Sequence, residues 1–116
     1  MKLDTSQAEF VTKRGDTLVV QTTLKDGNGV AFPLANAPVR FKMRPLGGGV
    51  LKVNQPATIV TPPGSDGVVK YVSQTPADTD TAGWFEAEWE VTTAGGQVIT
   101  FPNDGFDLVA IVEDVT

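Results

Sequence analysis

The sequence predicts an all-β fold, arranged as a single antiparallel sandwich, and three observations support this prediction. Segments in which apolar and polar residues alternate recur at intervals of roughly 8 to 12 residues, which is typical of antiparallel sandwiches. Twelve glycines and eight prolines occur in 116 residues, and both residue types disrupt helices. Hydrophobic residues make up 41% of the chain, which suits one core, so we expect residues 1–116 to form one domain.

The clearest alternation lies in residues 82–93, which we expect to form the central strand. A period of two assigns four apolar residues to one face: Phe85, Ala87, Trp89 and Val91. It assigns a tryptophan and three glutamates to the other face: Trp84, Glu86, Glu88 and Glu90. The sequence therefore predicts a strand with one buried face and one acidic, solvated face.

Six further strand patterns precede this central strand: residues 9–12, 17–24, 39–44, 50–53, 57–61 and 68–72. Residues 25–29 contain Asp-Gly and Asn-Gly, which favour a tight turn. A calcium loop is the alternative there, but Asp26 is its only acid. The Arg14-Gly15-Asp16 triplet likewise predicts a turn rather than an integrin-binding motif. Pro56 is expected to confine its strand to a sheet edge.

One helical turn is expected within residues 73–82, where Thr75 is a favourable N-cap and Pro76 follows it. Asp78 and Asp80 in this stretch are expected to complement the helix dipole rather than to bind a metal. Two more strands, residues 97–101 and 106–112, follow the central strand. The last of them is apolar on both faces except at Asp107, so it is either covered on both sides or supplies an interface.

Residues 39–44 form the basic counterpart of the acidic strand. Arg40, Lys42 and Arg44 alternate with apolar residues there. If the two strands are neighbours, three cations lie opposite or diagonal to three glutamates. Each exposed pair would contribute a few tenths of a kcal/mol, up to about 1 kcal/mol. Such a ladder would set the register of the two strands more than their stability.

The composition argues against catalysis. The chain contains no cysteine and no histidine, which removes the usual thiolate nucleophile, the commonest general base and the commonest transition-metal ligands. Glu86, Glu88 and Glu90 lie about 6.6 Å apart in successive pairs along a strand, a separation that glycosidases also use. We favour a solvated, ion-paired face over a glycosidase site, and we expect no enzyme activity, no metal and no cofactor. The glycines at 47–49 lack the Lys-Ser/Thr of a phosphate-binding loop.

The charge and hydropathy patterns restrict the partners. A net charge of −5 argues against binding to nucleic acid or to an anionic membrane. The sequence has no run of the roughly 20 apolar residues that a membrane helix needs and no signal-peptide pattern at its start, so we expect a soluble protein that is not exported by that route. Trp84 is left open: it either packs at the core or rim of the sandwich, contacts a partner protein, or stacks on a sugar ring.

A series of short motifs runs along the chain, in this order: Phe10-Val11, Gly15-Asp16, Leu24-Lys25-Asp26 with Gly29, Val39-Arg40-Phe41, residues 67–71, Asp78-Thr79, residues 82–91 and residues 100–105. This series resembles the N-terminal domain of tailed-phage baseplate upper proteins. The resemblance covers nearly the whole chain and is most specific in Ala-Gly-Trp-Phe-Glu-Ala-Glu-Trp-Glu-Val and in the Phe-Pro-Asn-Asp-Gly turn. It implies an immunoglobulin-like antiparallel β-sandwich of about seven to nine strands, present in many copies in a virion.

The expected function is that of a non-catalytic structural protein of a tailed bacteriophage, made in the host cytoplasm and assembled into the tail, baseplate or neck. A capsid decoration protein is the alternative, and a module that binds a host-surface glycan is the second alternative. The expected partners are other phage structural proteins and copies of the chain itself. The expected interface comprises the segment 1–10 and the strand 106–112, with six candidate residues: Phe10, Trp84, Phe106, Leu108, Val109 and Ile111.

Overall fold

The computed structural model describes residues 6–113, and within this range the chain is all-β, as the sequence predicts. The strands are β1 (Phe10–Lys13), β2 (Val19–Thr23), β3 (Val39–Pro45), β4 (Val53–Pro56), β5 (Thr58–Ile59), β6 (Val68–Val72), β7 (Gly83–Thr92), β8 (Val98–Phe101) and β9 (Asp107–Val112). A 3₁₀ turn occupies Pro76–Thr79, inside the stretch where a helical turn was expected. No helix in the described range has the length and apolarity needed to cross a bilayer.

The strands form two sheets. The larger, six-stranded sheet has the order β1-β9-β7-β3-β4, and β8 also pairs with β7. The smaller sheet has the order β2-β6-β5. β7 is long enough to hold two partners on one edge, since β9 pairs with its first half and β8 with its second half. β1 runs parallel to β9, so the expectation of purely antiparallel pairing is wrong at this edge.

The two sheets enclose one hydrophobic core. The ring of Phe41 in the larger sheet stacks on Tyr71 in the smaller sheet with 4.7 Å between ring centroids. The same ring meets Trp89 edge-on at 4.8 Å, and all three side chains are almost completely buried. Burying side chains of this size stabilises the fold by about 1.5–3 kcal/mol each, and aromatic pairs add about 0.5–1.5 kcal/mol.

Two predicted strands differ from the observed ones. The strand expected at 50–53 begins only at Val53 and extends to Pro56, while the strand expected at 57–61 shrinks to Thr58–Ile59. Proline lacks the N–H that a sheet ladder requires, and β4 is an edge strand in which this loss is tolerated. The prediction that Pro56 marks a sheet edge is confirmed.

Candidate functional site

The outward face of the larger sheet carries the charged rows that the sequence predicts. β3 and β7 pair antiparallel. Their register sets three cations directly opposite three glutamates: Arg40 faces Glu90, Lys42 faces Glu88 and Arg44 faces Glu86. The alternate residues of both strands are buried in the core, so the charged residues must lie on the opposite, outward side. The basic and acidic strands, whose adjacency the sequence left open, are therefore neighbours.

The ion pairs on this face leave one acid and one base without an ionic partner. Lys42 Nζ lies 2.6 Å from the Oε2 atom of Glu90, its diagonal neighbour. Arg44 Nε lies 2.5 Å from Oε1 of Glu86. Arg40 instead donates from Nε to Oδ1 of Asn54, at 2.9 Å, and from Nη2 to the Asn54 carbonyl, at 2.7 Å. Among the residues that the structure describes, Glu88 makes no ion pair.

The other half of the outward face is apolar. Trp84 precedes the glutamates on the same face of β7 and is partly buried, outside the core. Its strand neighbour Ala110 is fully buried although it points outward, and Val11 of β1 pairs with Ala110 on the far side. Leu108 lies opposite Glu86. An apolar area centred on Trp84 therefore adjoins the charged rows.

The β3–β4 turn brings two leucines to the same face. Gly47, Gly48 and Gly49 all have positive φ, from 93° to 124°, which only glycine adopts at low cost. This turn is held by a hydrogen bond from Leu46 N to the Trp84 carbonyl, at 3.0 Å. The chain then returns antiparallel to β3, where Lys52 N donates to the Met43 carbonyl at 2.7 Å, and Leu51 lines the same concavity as Arg44.

A shallow concavity of about 300 Å³ crosses the middle of the outward face. Its lining combines the charged rows with apolar walls: Lys42, Arg44, Leu51, Glu86, Glu88, Gly105 and Phe106. Leu51 and Phe106 in this lining each expose 41% of their surface. Leu46 and Val11, at the Trp84 end of the same face, are also exposed, by 47% and 51%. Apolar side chains beside fixed charges are typical of surfaces that contact other proteins.

Three of the six predicted interface residues lie on this face, and the other three do not. Trp84, Phe106 and Leu108 border the outward face. Val109 and Ile111, which were also predicted for the interface, are fully buried in the core of this chain. Phe10 is partly buried and packs against the same core. Residues of β9 alternate between the core and the outward face. Because both sets are apolar, the sequence alone does not show which residues are buried.

Residues 1–5 of the predicted N-terminal interface lie outside the described range. Sequence reasoning missed Val11, Leu46 and Leu51 because a strand edge and a turn bring them to the face from distant parts of the chain. The glycines at 47–49 were the available sequence signal, because such a run predicts a tight turn that would keep Leu46 and Leu51 close to the sheet.

Asp78, in the 3₁₀ turn, and Asp80, the C-cap residue that follows it, bind different partners, which argues against a shared metal site there. The Tyr71 hydroxyl donates to Oδ2 of Asp78 at 2.6 Å, and Gln74 N donates to the same oxygen at 3.1 Å. Burial, followed by the hydrogen bond and the charge of Asp78, raises the pKa of Tyr71 well above its ordinary value of 10.0. Asp80 is ion-paired with Lys52 instead, and this pairing lowers the pKa of Asp80. Within residues 6–113 no cluster of acids is arranged to hold a metal.

A second concavity of about 390 Å³ opens at the end of the core, beside Asp107. The indole Nε1 of Trp89 donates to Oδ2 of Asp107 at 3.3 Å. Burial raises the pKa of Asp107. The hydrogen bond from the Trp89 indole lowers this pKa in part, and the negative charge of Glu9 raises it further. Trp89 and Phe101 line the concavity but are almost completely buried, so neither offers a flat ring on which a ligand could stack.

Comparison with known proteins does not assign the chain to a family. The sequence matches no protein-family model and no curated protein sequence.

Proposed function

We propose that this chain is a non-catalytic structural protein that acts through protein–protein contacts made by the outward face of its larger sheet. The observation that carries this proposal is the arrangement of exposed Val11, Leu46, Leu51 and Phe106 around Trp84 and the paired charge rows. An exposed apolar area bordered by charged residues is typical of a contact surface in proteins that assemble.

The finer fold that we propose is an immunoglobulin-like sandwich. Support comes from the strand order: β7 lies between β3 on one edge and β8 and β9, which each pair with β7, on the other edge, while β6 lies between β2 and β5 in the second sheet. Immunoglobulin-type sandwiches place the third, sixth and seventh strands of their common core in one sheet and the second and fifth in the other. β8 and β9 pair with successive parts of one edge of β7. Together they would take the place of the last strand in that scheme.

The glutamates of β7 support a structural role. Glu86 and Glu90 are held in ion pairs with cations of the neighbouring strand. A glycosidase needs one protonated carboxylic acid and one free carboxylate on either side of a substrate. The side chain of Glu86 is almost completely buried beneath its neighbours and bonded to Arg44, and that of Glu90 is bonded to Lys42, so these carboxylates are occupied by protein partners rather than placed on either side of a substrate.

We further propose that the assembly is the virion of a tailed bacteriophage, with the chain in the tail, baseplate or neck. Support comes from the motifs shared with the N-terminal domain of baseplate upper proteins, above all the β7 segment Ala-Gly-Trp-Phe-Glu-Ala-Glu-Trp-Glu-Val. In a symmetric particle, many equivalent copies compensate for modest single contacts. Capsid decoration is the alternative location, and the experiment below separates the two.

The test uses particles purified from the phage that encodes the chain. Quantitative mass spectrometry should find the chain in several copies per particle, and it should stay with the tails when tails and capsids are separated. Light scattering of the purified chain mixed with tail-free capsids should show no binding. Capsid binding would favour the decoration alternative, and absence from purified particles would contradict the proposed function.

A further inference from the structure

A half-buried acid, Asp107, lies at the mouth of the core, in the concavity of about 390 Å³ at the end of the sandwich. We propose that this concavity receives an arginine side chain of a partner protein, whose guanidinium group binds the carboxylate of Asp107. The concavity shares no lining residue with the one on the outward face. It therefore adds a second contact to the proposed function, and it rests on that function in one respect, since the arginine belongs to an assembly partner.

The concavity exists because the chain leaves the edge of the larger sheet between its last two strands. β8 ends at Phe101 and β9 begins at Asp107, and residues 102–106 between them lie outside the ladder. Asn103 Nδ2 donates to the Lys25 carbonyl at 3.3 Å, so this segment contacts the loop that follows β2. The end of the core therefore opens between two loops that are joined to each other.

The alternation of β9 directs Asp107 toward the core side of the sheet. Asp107, Val109 and Ile111 share one face of the strand, and Val109 and Ile111 are fully buried. The hydrogen bond of 3.3 Å from Trp89 Nε1 is slightly longer than usual, and within residues 6–113 it is the only bond that the Asp107 carboxylate receives. No cation in that range forms an ion pair with it. A carboxylate with so few partners gains solvation when a cation binds beside it.

The lining suits an arginine in charge and in chemical character. Half-buried Thr22 and Pro102 contribute apolar carbons, which the methylene groups of an arginine can contact. Asp26 accepts two backbone N–H groups of its own turn and Asp104 is exposed, which leaves Asp107 as the acid available to a buried cation. The charged residues of the lining favour a cation over an anion: Lys25, Asp26, Asp104 and Asp107.

Arginine fits this site better than a metal ion or a lysine does. A calcium ion takes about six to eight oxygen ligands, and in the described part of the chain no group of acids is arranged to hold a metal. A guanidinium group is more weakly hydrated than an ammonium group and can bind a carboxylate through two parallel hydrogen bonds. One such contact binds weakly alone, whereas many copies of it in a symmetric particle reinforce one another.

The test is an NMR titration of the purified chain with N-acetyl-L-arginine amide. The chain contains two tryptophans, so one indole N–H signal reports on Trp89 in the concavity and the other on Trp84 at the outward face. Trp84→Phe assigns the two signals. The Trp89 signal should shift to saturation with a Kd of roughly 1–10 mM, and the Trp84 signal should not shift. N-acetyl-L-citrulline amide has a similar shape without the charge and should not bind.

A pair of variants separates the carboxylate of Asp107 from the overall charge of the protein. Asp107→Asn should weaken binding of the arginine probe by roughly tenfold or more, although its amide can still accept the indole hydrogen bond. Asp16→Asn is the matched control. Asp16 is an exposed acid that precedes β2, at the opposite end of that strand from the concavity, and its variant should bind the probe as the wild type does. In particles, Asp107→Asn should be depleted and Asp16→Asn should be incorporated normally.

An unshifted Trp89 signal at probe concentrations up to about 100 mM would overturn the arginine site. Equal binding of the citrulline probe, or undiminished binding by Asp107→Asn, would do the same. Normal incorporation of Asp107→Asn into particles would overturn the assignment of the site to an assembly partner. The proposed function has a separate readout. If the chain is abundant in particles but the probe does not bind, the arginine site fails and the proposed function stands. If the probe binds as described but the chain is absent from particles, the proposed function fails and the arginine site stands.

Discussion

Arg44 Nε lies 2.5 Å from Oε1 of Glu86, and this contact joins a half-exposed cation to a carboxylate that is only 8% exposed. Glu86 points to the outward side of the larger sheet, but it is covered by its neighbours on that face. A carboxylate with so little access to water depends on its protein partner for solvation. The ladder between β3 and β7 is therefore not a row of equivalent surface pairs.

Replacing Arg44 by Met should lower the free energy of unfolding by about 1 kcal/mol, which is more than most exposed ion pairs contribute. Met keeps most of the aliphatic stem but removes the charge that solvates Glu86. Urea denaturation measures the change. Glu88→Gln is the matched control: Glu88 has no ionic partner among the described residues, so this variant should change stability by less than about 0.5 kcal/mol. Equal stability of Arg44→Met and the wild type would contradict the role given to this pair.

Tyr71 should resist ionisation in the folded protein. It is the only tyrosine in the sequence, so the ultraviolet absorbance of tyrosinate reports this residue alone. Its raised pKa means that the folded state keeps the phenolic proton at a pH where the unfolded state has lost it. Just above pH 10.0, the native protein should show little tyrosinate absorbance. The absorbance should appear when the protein is unfolded at the same pH. An ordinary titration curve in the native protein would rule out the buried hydrogen bond to Asp78.

The same linkage predicts how stability depends on alkaline pH. The contribution of Tyr71 is fully present below its unfolded pKa of 10.0 and is lost as the pH rises toward the folded pKa. Tyr71→Phe should be less stable than the wild type by about 1–2 kcal/mol at neutral pH, because the buried Asp78 loses a donor. This difference should narrow above pH 10.0, as measured by denaturation at several pH values. A constant difference would contradict the assignment.

Asp107 should be a source of instability at neutral pH. Burial raises its pKa above the ordinary value of 3.8, so the folded state binds the proton more tightly than the unfolded state does. The contribution of Asp107 to the free energy of unfolding is then most favourable below pH 3.8. It declines as the pH rises through the pKa of Asp107 in the folded state. Asp107→Asn can still accept the indole hydrogen bond and should be more stable than the wild type at pH 7, by up to about 1 kcal/mol. Thermal melts should show this gain shrinking in acid, and a less stable variant at pH 7 would argue against the explanation.

Phe106, just before β9, and Val109, within β9, should respond very differently to the introduction of a carboxylate. Phe106 is 41% exposed and Val109 is fully buried. Phe106→Asp should leave a folded protein with a cooperative melting transition, whereas Val109→Asp should abolish folding, because an unpaired carboxylate in the core costs several kcal/mol. A folded Val109→Asp variant would contradict the burial of Val109 in the core.

The parts of the fold that depend on alternation were predictable from the sequence. The charged faces of β3 and β7 follow a strict period of two, and opposite charges favour the observed register. The period does not specify which strand lies beside β9 or in which direction it runs, so the parallel pairing of β1 was missed. For the same reason Val109 was not separated from Leu108, since both are apolar and only the neighbouring sheet distinguishes core from surface.

The candidate site was predictable in part. Trp84 was recognised from its place on the acidic face of the central strand, and Phe106 and Leu108 were recognised as part of a strand that is apolar on both faces. Leu46 and Leu51 reach the same face only through the β3–β4 turn, and a turn conformation is poorly encoded by hydrophobic pattern. The hydrogen bond between Tyr71 and Asp78 joins a strand to a 3₁₀ turn, and no spacing rule distinguishes a buried acid from one that faces solvent near a helix start.

The most direct test of the outward face as a protein-contact surface is the amount of chain incorporated into purified particles. Phages that carry wild-type chain, Phe106→Asp or Val19→Asp would be compared by quantitative mass spectrometry. Val19 lies on the smaller sheet and is exposed like Phe106, so it controls for an added surface charge. We expect Phe106→Asp to be depleted from particles while Val19→Asp is incorporated normally. Normal particles carrying Phe106→Asp would contradict the account.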